Sequence, residues 1–381
     1  MQTLNGLKVL ELARILAGPW AGQTLADLGA DVVKVEAEAG DDTRQWGPPY
    51  VGADEGAPES AAYFHSCNRG KRSITANFAD EKDRVRVLEL AAKADVIIEN
   101  FKVGGLKRFG LDYESIHASN PRVIYASITG FGQDGPYAPR AGYDFLIQGM
   151  GGAMSVTGQP DGPPTKTGFA IADLFSGLYA TIGILAALNR REKTGSGAHV
   201  DCALLDTQVA VLANQAMNYL VSGREPVRLG NAHPNVVPYD VFPVSDGHCI
   251  IAVGNDSQFA RLCDVLGIAE LAVDPRFARN DNRVENRDVL TVLLGERSRL
   301  MTQAQLLQII VDAGIPGGPI NTISSVFENP QIVHRGMRID RETSGRSVPG
   351  VRTPLMIDGQ PTAHAEGAPA LGAHNGQTVD W

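Results

Sequence analysis

The sequence predicts an α/β protein with a large domain built on a parallel sheet and a smaller α/β domain after it. In the first half, short apolar runs typical of strands alternate with stretches of helical spacing, a pattern typical of a parallel sheet. Two long apolar helices follow residue 168, and a second set of strand and helix patterns comes after a stretch that contains prolines and glycines. At roughly 150 residues per domain, 381 residues are enough for about two domains.

The large domain is predicted from its N-terminal elements onward. Apolar, β-branched runs predict strands at 7–12, 31–35, 95–98 and 122–128, and helical spacing predicts helices at 20–28 and 81–93. Apolar helices are predicted at 174–189 and 204–221, with a short strand at 198–201 between them. The most apolar stretch, 177–188, is too short to span a bilayer and therefore predicts a buried helix.

The second domain is predicted to contain a strand at 249–253, helices at 257–266, 285–299 and 303–313, and a turn at 314–319. The C-terminal residues are rich in Gly, Pro and Ala and show no clear periodicity. The predicted boundaries are 1–221 for the large domain, 222–238 for a linker, 239–325 for the small domain and 326–381 for a second linker with the C-terminal segment.

Composition and charge exclude several classes of function. A net charge of −9 and a pI near 5.4 provide no general field for nucleic acid or an anionic membrane, so neither is an expected partner. The four scattered cysteines fit neither a zinc knuckle nor a disulfide framework, which favours a reducing, cytoplasmic location. No signal peptide is expected at the N-terminus.

Motifs for common cofactors and nucleophiles are absent. The loop after the first strand lacks the GxGxxG spacing, so NAD is not an expected cofactor. His65 and Cys67 are the only close pair of metal-type ligands, and two ligands do not make a zinc site. No GxSxG elbow supports a serine hydrolase.

Asp173 precedes the most apolar helix and has two compatible interpretations. Its position favours an N-cap, since Asp is among the preferred capping residues. Helix amides would then hold the carboxylate ionised and available as a nucleophile.

Basic residues are concentrated in two segments, which could meet in one pocket for phosphates. Each residue taken alone could equally belong to a solvated loop. The basic residues are Arg69, Lys71 and Arg72 in the first segment and Lys102, Lys107 and Arg108 in the second.

Five ordered stretches resemble the class III CoA-transferases, the family that also includes the α-methylacyl-CoA racemases. The stretches are VLELARILAGP at 9–19, LGADVVKVE at 28–36, NRGKRS at 68–73, DVIIENF at 95–101 and REKTGSG at 191–197. The resemblance runs from about residue 4 to about residue 375. It implies a Rossmann-like large domain, a C-terminal segment that returns to it, and an interlocked homodimer.

The resemblance also implies the chemistry. The family nucleophile corresponds to Asp173, which would form an anhydride with the acyl group and then a thioester with CoA. Coenzyme A would be bound as a substrate, without metal or NAD. The implied CoA contacts are Ile15, Lys71, Arg72, Asn100, Phe101, Arg108, Arg140 and Tyr143. We expect the loop of Gly149, Gly151 and Gly152 to supply oxyanion donors.

One position separates two branches of the family. The racemases have Gly-His-Asp where this chain has Gly142, Tyr143 and Asp144, and a tyrosine is a poor base near neutral pH. This favours a transferase, with racemase as the alternative and a non-catalytic CoA-binding relative as a second alternative, against which Asp173 argues. The stretches 229–239, 253–259 and 314–321 resemble the succinyl-CoA:dicarboxylate group.

Overall fold

A computed structural model describes residues 3–52, 60–377 and 381. The chain forms two compact units. The first unit contains Met1–Ala153, Thr167–Ala213 and Pro330–Trp381, and the second contains Met154–Lys166 and Asn214–Asn329.

The first unit is built on a parallel sheet of six strands. Its strands are β1 (Lys8–Glu11), β2 (Asp31–Glu36), β3 (Lys71–Thr75), β4 (Val96–Glu99), β5 (Ile124–Thr129) and β6 (Ala198–Ala203). Their order in the sheet is β3-β2-β1-β4-β5-β6, and every neighbouring pair is parallel. The predicted α/β class with a parallel sheet is confirmed. The order reverses between β1 and β4, so the connections after these two strands leave in opposite directions.

Apolar cores cover both faces of this sheet. Successive residues of one strand point to opposite faces, so Val9 joins one core and Leu10 the other. The same alternation holds for Val32 and Val33. Burial on both faces explains why these strands read as continuous apolar runs in the sequence.

The helices of this part of the chain connect the strands. They are α1 (Ala17–Asp27), α2 (Ala62–Cys67), α3 (Glu81–Lys93), α4 (Tyr113–Ser119), α5 (Asp144–Met150), α6 (Ala153–Val156), α7 (Ile171–Thr194) and α8 (Leu204–Ala210). α7 is longer than predicted, and among the described residues it alone has the length and apolar composition of a membrane span. Its Ala180 and Ile184 are fully buried in the same core as α1, which fits the predicted core helix.

The second unit contains a three-stranded antiparallel sheet with helices around it. The strands, in the order β7-β8-β9, are β7 (Tyr239–Val244), β8 (Gly247–Ala252) and β9 (Gly317–Pro319). The helices are α9 (Asn214–Ser222), α10 (Asp256–Val265), α11 (Asn280–Glu285), α12 (Arg287–Ser298), α13 (Gln303–Asp312) and α14 (Ile323–Glu328). β9 lies within the predicted turn at 314–319 and pairs with β8.

The C-terminal segment belongs to the first unit and contacts β3 and the residues before it. It contains α15 (Pro330–His334), the hairpin of β10 (Arg338–Thr343) and β11 (Arg346–Val351), and the short strands β12 (Met356–Ile357) and β13 (Gln360–Pro361). Asn375 accepts a hydrogen bond from the amide of Thr75, and Arg69 donates to the carbonyl of Val351.

The observed division of the chain differs from the predicted boundaries. The predicted helix at 204–221 is two helices, α8 and α9, separated near Ala213, which has a φ of +46°. α9 belongs to the second unit, so the change of unit falls at residue 213 rather than 221. The segment 154–166 also belongs to the second unit.

Candidate active site

A cavity of about 390 Å³ opens in the first unit at the carboxyl ends of β1, β4 and β5. Arg14 follows β1, Asn100 follows β4, and Thr129 ends β5. In open parallel sheets, ligands bind beyond the carboxyl ends of the strands, where the strand order reverses. The predicted site residues that line this cavity are Ile15, Asn100, Phe101, Arg108, Arg140, Tyr143 and Asp173.

A second cavity, of about 590 Å³, lies beyond the ends of β2 and β3 and includes Glu36 and Asn77. The two cavities have four lining residues in common: Arg14, Phe101, Arg108 and Phe109. Together they offer a long binding surface on one edge of the sheet, which suits an extended ligand.

Buried ionic groups fix the loop after β1. Ile15 has a φ of +71°, a strained conformation for a β-branched residue, and its amide donates to both carboxylate oxygens of Asp41 at 3.2 Å. The Lys34 ammonium pairs with Asp41 at 2.9 Å and donates to the carbonyl of Ala13 at 2.8 Å. Burial alone would lower the pKa of Lys34, but the carboxylates around it outweigh burial and raise it. Lys34 therefore remains a cation that holds this loop.

Asn100 also fixes the loop after β1. Its amide oxygen accepts from the Arg14 amide at 3.0 Å, and its amide nitrogen donates to the Arg14 carbonyl at 2.7 Å. Asn100 thus joins the loops after β1 and β4 where both line the cavity.

Cations surround the cavity. The Arg108 guanidinium lies 4.5 Å from the ring centroid of Phe109, and Arg140 lies over Tyr137 at 4.6 Å. Arg14 makes an exposed ion pair with Asp42 at 2.8 Å. Three arginines around one cavity in an acidic protein form a local site for anions.

Asp173 lies in the first turn of α7, within the cavity wall. The N-cap of α7 is Ala170, so the prediction that Asp173 caps this helix is wrong. In the described part of the chain, the Asp173 carboxylate makes no hydrogen bond or ion pair. Burial, and next the nearby Asp144 carboxylate, raise the pKa of Asp173 to about 7. The expectation that helix amides hold the Asp173 carboxylate ionised is therefore wrong.

Asp144, rather than Asp173, accepts hydrogen bonds from the first amides of α7. Its Oδ1 accepts from the amides of Ala172 at 2.8 Å and Asp173 at 3.3 Å. Its Oδ2 accepts from the side-chain nitrogen of Gln148 at 2.7 Å. The Gln148 oxygen in turn accepts from the amide of Thr167 at 2.9 Å, so α5 holds the segment that leads into α7.

Lys71 and Arg72 do not line either cavity. Lys71 is buried on β3, where it pairs with Glu11 at 2.7 Å and donates to the side-chain oxygen of Asn68 at 2.8 Å. Arg72 pairs with Asp31. The two basic segments therefore do not meet in one pocket. β3 pairs with β2, and in this position Lys71 and Arg72 form ion pairs with carboxylates of β1 and β2.

The predicted oxyanion loop begins inside a helix. Gly149 lies in α5, whereas Gly151 is the C-cap of α5 and Gly152, with a φ of +86°, follows it. None of the three lines the Asp173 cavity in the described residues. A side-chain carbon at Gly151 would meet Gln208 at 2.5 Å, which shows that close packing of α5 on α8 requires this glycine.

Arg14, Asp41 and Asp144 were missed as site residues. Arg14 lies three residues after the end of β1, and a charge in the loop after the first buried strand was a usable signal. Asp41 and Asp144 act through contacts distant in sequence. Asp144 lies in the stretch that was compared with the racemases, but local spacing does not show which amides donate to it. Within the described ranges, no group of three His, Cys, Asp or Glu residues could hold a metal ion.

The chain is similar to known proteins over nearly its whole length. The sequence model of CoA-transferase family III matches residues 4–375. The succinate–glutarate CoA-transferase of Agrobacterium fabrum is 52% identical over 378 residues, covering 99% of this chain and 94% of that protein. The acetyl-CoA:oxalate CoA-transferase of Acetobacter aceti is 43% identical over 370 residues, covering 96% and 92%. A crystal structure of a CAIB/BAIF family protein from Brucella suis superposes with a TM-score of 0.86 at 58% identity, covering 98% and 97% of the two chains.

Proposed function

The chain belongs to CoA-transferase family III, and we propose that it moves CoA from succinyl-CoA to a second dicarboxylate, with Asp173 as the nucleophile. The observation that carries the proposal is the Asp173 carboxylate, which has no partner among the residues that the structure describes, in the wall of a cavity that three arginines also line. The 52% identity to the succinate–glutarate enzyme supports a dicarboxylate acceptor.

The reaction proceeds through two covalent intermediates. An Asp173 oxygen attacks the thioester carbonyl and expels CoA thiolate, leaving a mixed anhydride. The thiolate attacks the aspartyl carbonyl and expels the donor carboxylate, leaving an aspartyl-CoA thioester. The acceptor carboxylate then attacks this thioester and releases thiolate. The thiolate attacks the acyl carbon of the new anhydride, which gives the product acyl-CoA and returns Asp173 to its carboxylate form.

The cavity groups have separate tasks in this scheme. Arg108 and Arg14 line both cavities, so they suit phosphates of an extended CoA. A pKa near 7 makes Asp173 a more basic nucleophile than an ordinary aspartate while part of it stays ionised at neutral pH.

The proposal includes the assembly and location of the chain. The outer face of α7 exposes Phe175, Leu178, Tyr179 and Ile182, and an apolar patch of this kind favours an interface. We assign this face to a second copy in an interlocked homodimer with Rossmann-like large domains. The four free, buried cysteines support a cytoplasmic protein.

A panel of acyl-CoA donors crossed with mono- and dicarboxylic acids, read by mass spectrometry, tests the function. Wild type is expected to transfer CoA from succinyl-CoA to dicarboxylates, and Asp173→Asn is expected to lose transfer while it still binds CoA. Full turnover in Asp173→Asn would contradict the proposal. The same assay in heavy water tests the alternative, because α-proton exchange in a 2-methylacyl-CoA without CoA transfer would indicate a racemase.

A further inference from the structure

We propose that Asp144 is a positioning residue that aims Asp173 and keeps it basic by occupying the helix amides that would otherwise stabilise its anion. This inference rests on the proposed role of Asp173 as the nucleophile. It concerns how the chain prepares that group before any substrate is bound.

The hydrogen bonds at the start of α7 support the role of Asp144 in positioning Asp173. Ala170, the N-cap of α7, makes no side-chain cap. The cap comes from another helix, because Asp144 Oδ1 accepts from both Ala172 and Asp173 amides. The first turn of α7 is thereby attached to α5, and the side chain of Asp173 leaves from a fixed backbone.

A second attachment fixes Asp144 itself. Gln148, one turn further along α5, is fully buried and donates to Asp144 Oδ2 at 2.7 Å. Its oxygen accepts from the amide of Thr167 at 2.9 Å. The pair therefore anchors the segment 167–173 at both ends, and Asp144 cannot turn away from Asp173 without breaking these bonds.

The same contacts set the charge environment of Asp173. Amides at a helix N-terminus stabilise an anion, but here a different carboxylate has taken two of them. Burial, and next the like charge of Asp144, raise the pKa of Asp173, and among the described residues no hydrogen bond to its carboxylate lowers that pKa. A more basic carboxylate is a stronger nucleophile toward a thioester carbonyl.

Other ionisable groups face Asp173 from the elements around it. They are Tyr63 from α2, Asp144 from α5, and Arg14, Lys102, Arg108, Arg140 and Tyr143 around the cavity. Burial raises the pKa of Tyr63 to about 12, far from the value of about 7 to which burial and Asp144 raise the pKa of Asp173. We therefore assign a transition near pH 7 to Asp173.

The test exchanges the charge without removing the hydrogen bonds. In the double variant Asp144→Asn with Gln148→Glu, the introduced asparagine can still accept from the two α7 amides through its side-chain oxygen. Its side-chain nitrogen can donate to the introduced glutamate, which still accepts from Thr167. The negative charge moves one helical turn along α5. Asp206→Asn, which removes an exposed carboxylate from α8, is the control with the same net-charge change as Asp144→Asn alone.

Two measurements are made on each folded variant. The first is the pH dependence of kcat/KM, which in wild type should rise with pH through about 7 because only the ionised carboxylate attacks. The second needs no substrate: ¹³C NMR titration of labelled aspartate carboxyls, with Asp173 assigned by the resonance lost in Asp173→Asn.

We expect the double variant to lower both midpoints by about one pH unit or more, with the Asp206→Asn values unchanged. Asp144→Asn alone should show the same shift and a larger loss of kcat, because it also disturbs the bond to Gln148. Unchanged NMR and kinetic midpoints in the double variant would overturn the inference. Full turnover in Asp173→Asn would instead refute the proposed function, and the NMR titration would still decide whether Asp144 sets the pKa.

Discussion

At the scale of single residues, the site depends on which charged groups are free and which are already paired. Arg108 lines both cavities and contacts the ring of Phe109, whereas Arg72 is paired with Asp31 on β3. The two arginines come from neighbouring basic segments of the sequence, yet the structure gives them different roles.

Arg108→Ala should raise KM for every acyl-CoA donor by a similar factor, because a contact to phosphate does not sense the acyl group. We expect KM to rise roughly tenfold to hundredfold, which corresponds to the loss of about 1.5–3 kcal/mol of binding free energy from one charge-assisted hydrogen bond. Steady-state kinetics with three donors measures it. Arg72→Ala is the matched control, with unchanged KM. Effects on KM that differ between donors would place Arg108 at the acyl group instead.

At the scale of elements, the close approach of α1 and α7 places Asp173. Gly177 lies one turn after Asp173, and a side-chain carbon there would come 2.6 Å from the carbonyl oxygen of Ala17. Only a glycine lets the two helices touch at this point. The spacing of α7 from α1 therefore determines how far Asp173 extends into the cavity.

Gly177→Ala should force α1 and α7 apart and lower the free energy of unfolding by about 1–3 kcal/mol. It should also reduce kcat more than it changes KM for the donor, because Asp173 moves with its helix. Gly295→Ala in α12 is the control: its new carbon meets only the end of the Arg299 side chain at 3.4 Å, so up to about 1 kcal/mol of stabilisation is expected from helix propensity. Denaturant unfolding and kinetics of both variants provide the comparison. Equal stability of the two variants would refute the packing argument.

At the scale of the whole molecule, apolar periodicity was enough to predict the parallel sheet. β1, β2, β4 and β5 are buried on both faces and were predicted close to their observed bounds. β3 was missed because Lys71 and Ser73 on it are buried polar residues that form bonds within the fold. The hairpin of β10 and β11 was missed because polar and charged residues obscure its alternation.

The sequence was enough to place Asn100, Phe101 and Arg108 in one cavity wall, because all three lie in the stretch that follows β4. The site was mispredicted where a residue's partner is distant in sequence. Asp173 was expected to cap its own helix, but Asp144, 29 residues earlier, accepts that helix's amides. Burial and long-range hydrogen bonds decide such pairings, and neither can be read from local spacing.

The central claim is that CoA is carried covalently on Asp173 during transfer. Rapid acid quench of the enzyme with succinyl-CoA, followed by peptide mass spectrometry, tests this claim most directly. We predict a CoA adduct on the peptide that contains Asp173, formed at least as fast as turnover and discharged when a dicarboxylate acceptor is added. Transfer at the full rate without an adduct, or with the adduct on another residue, would contradict the account.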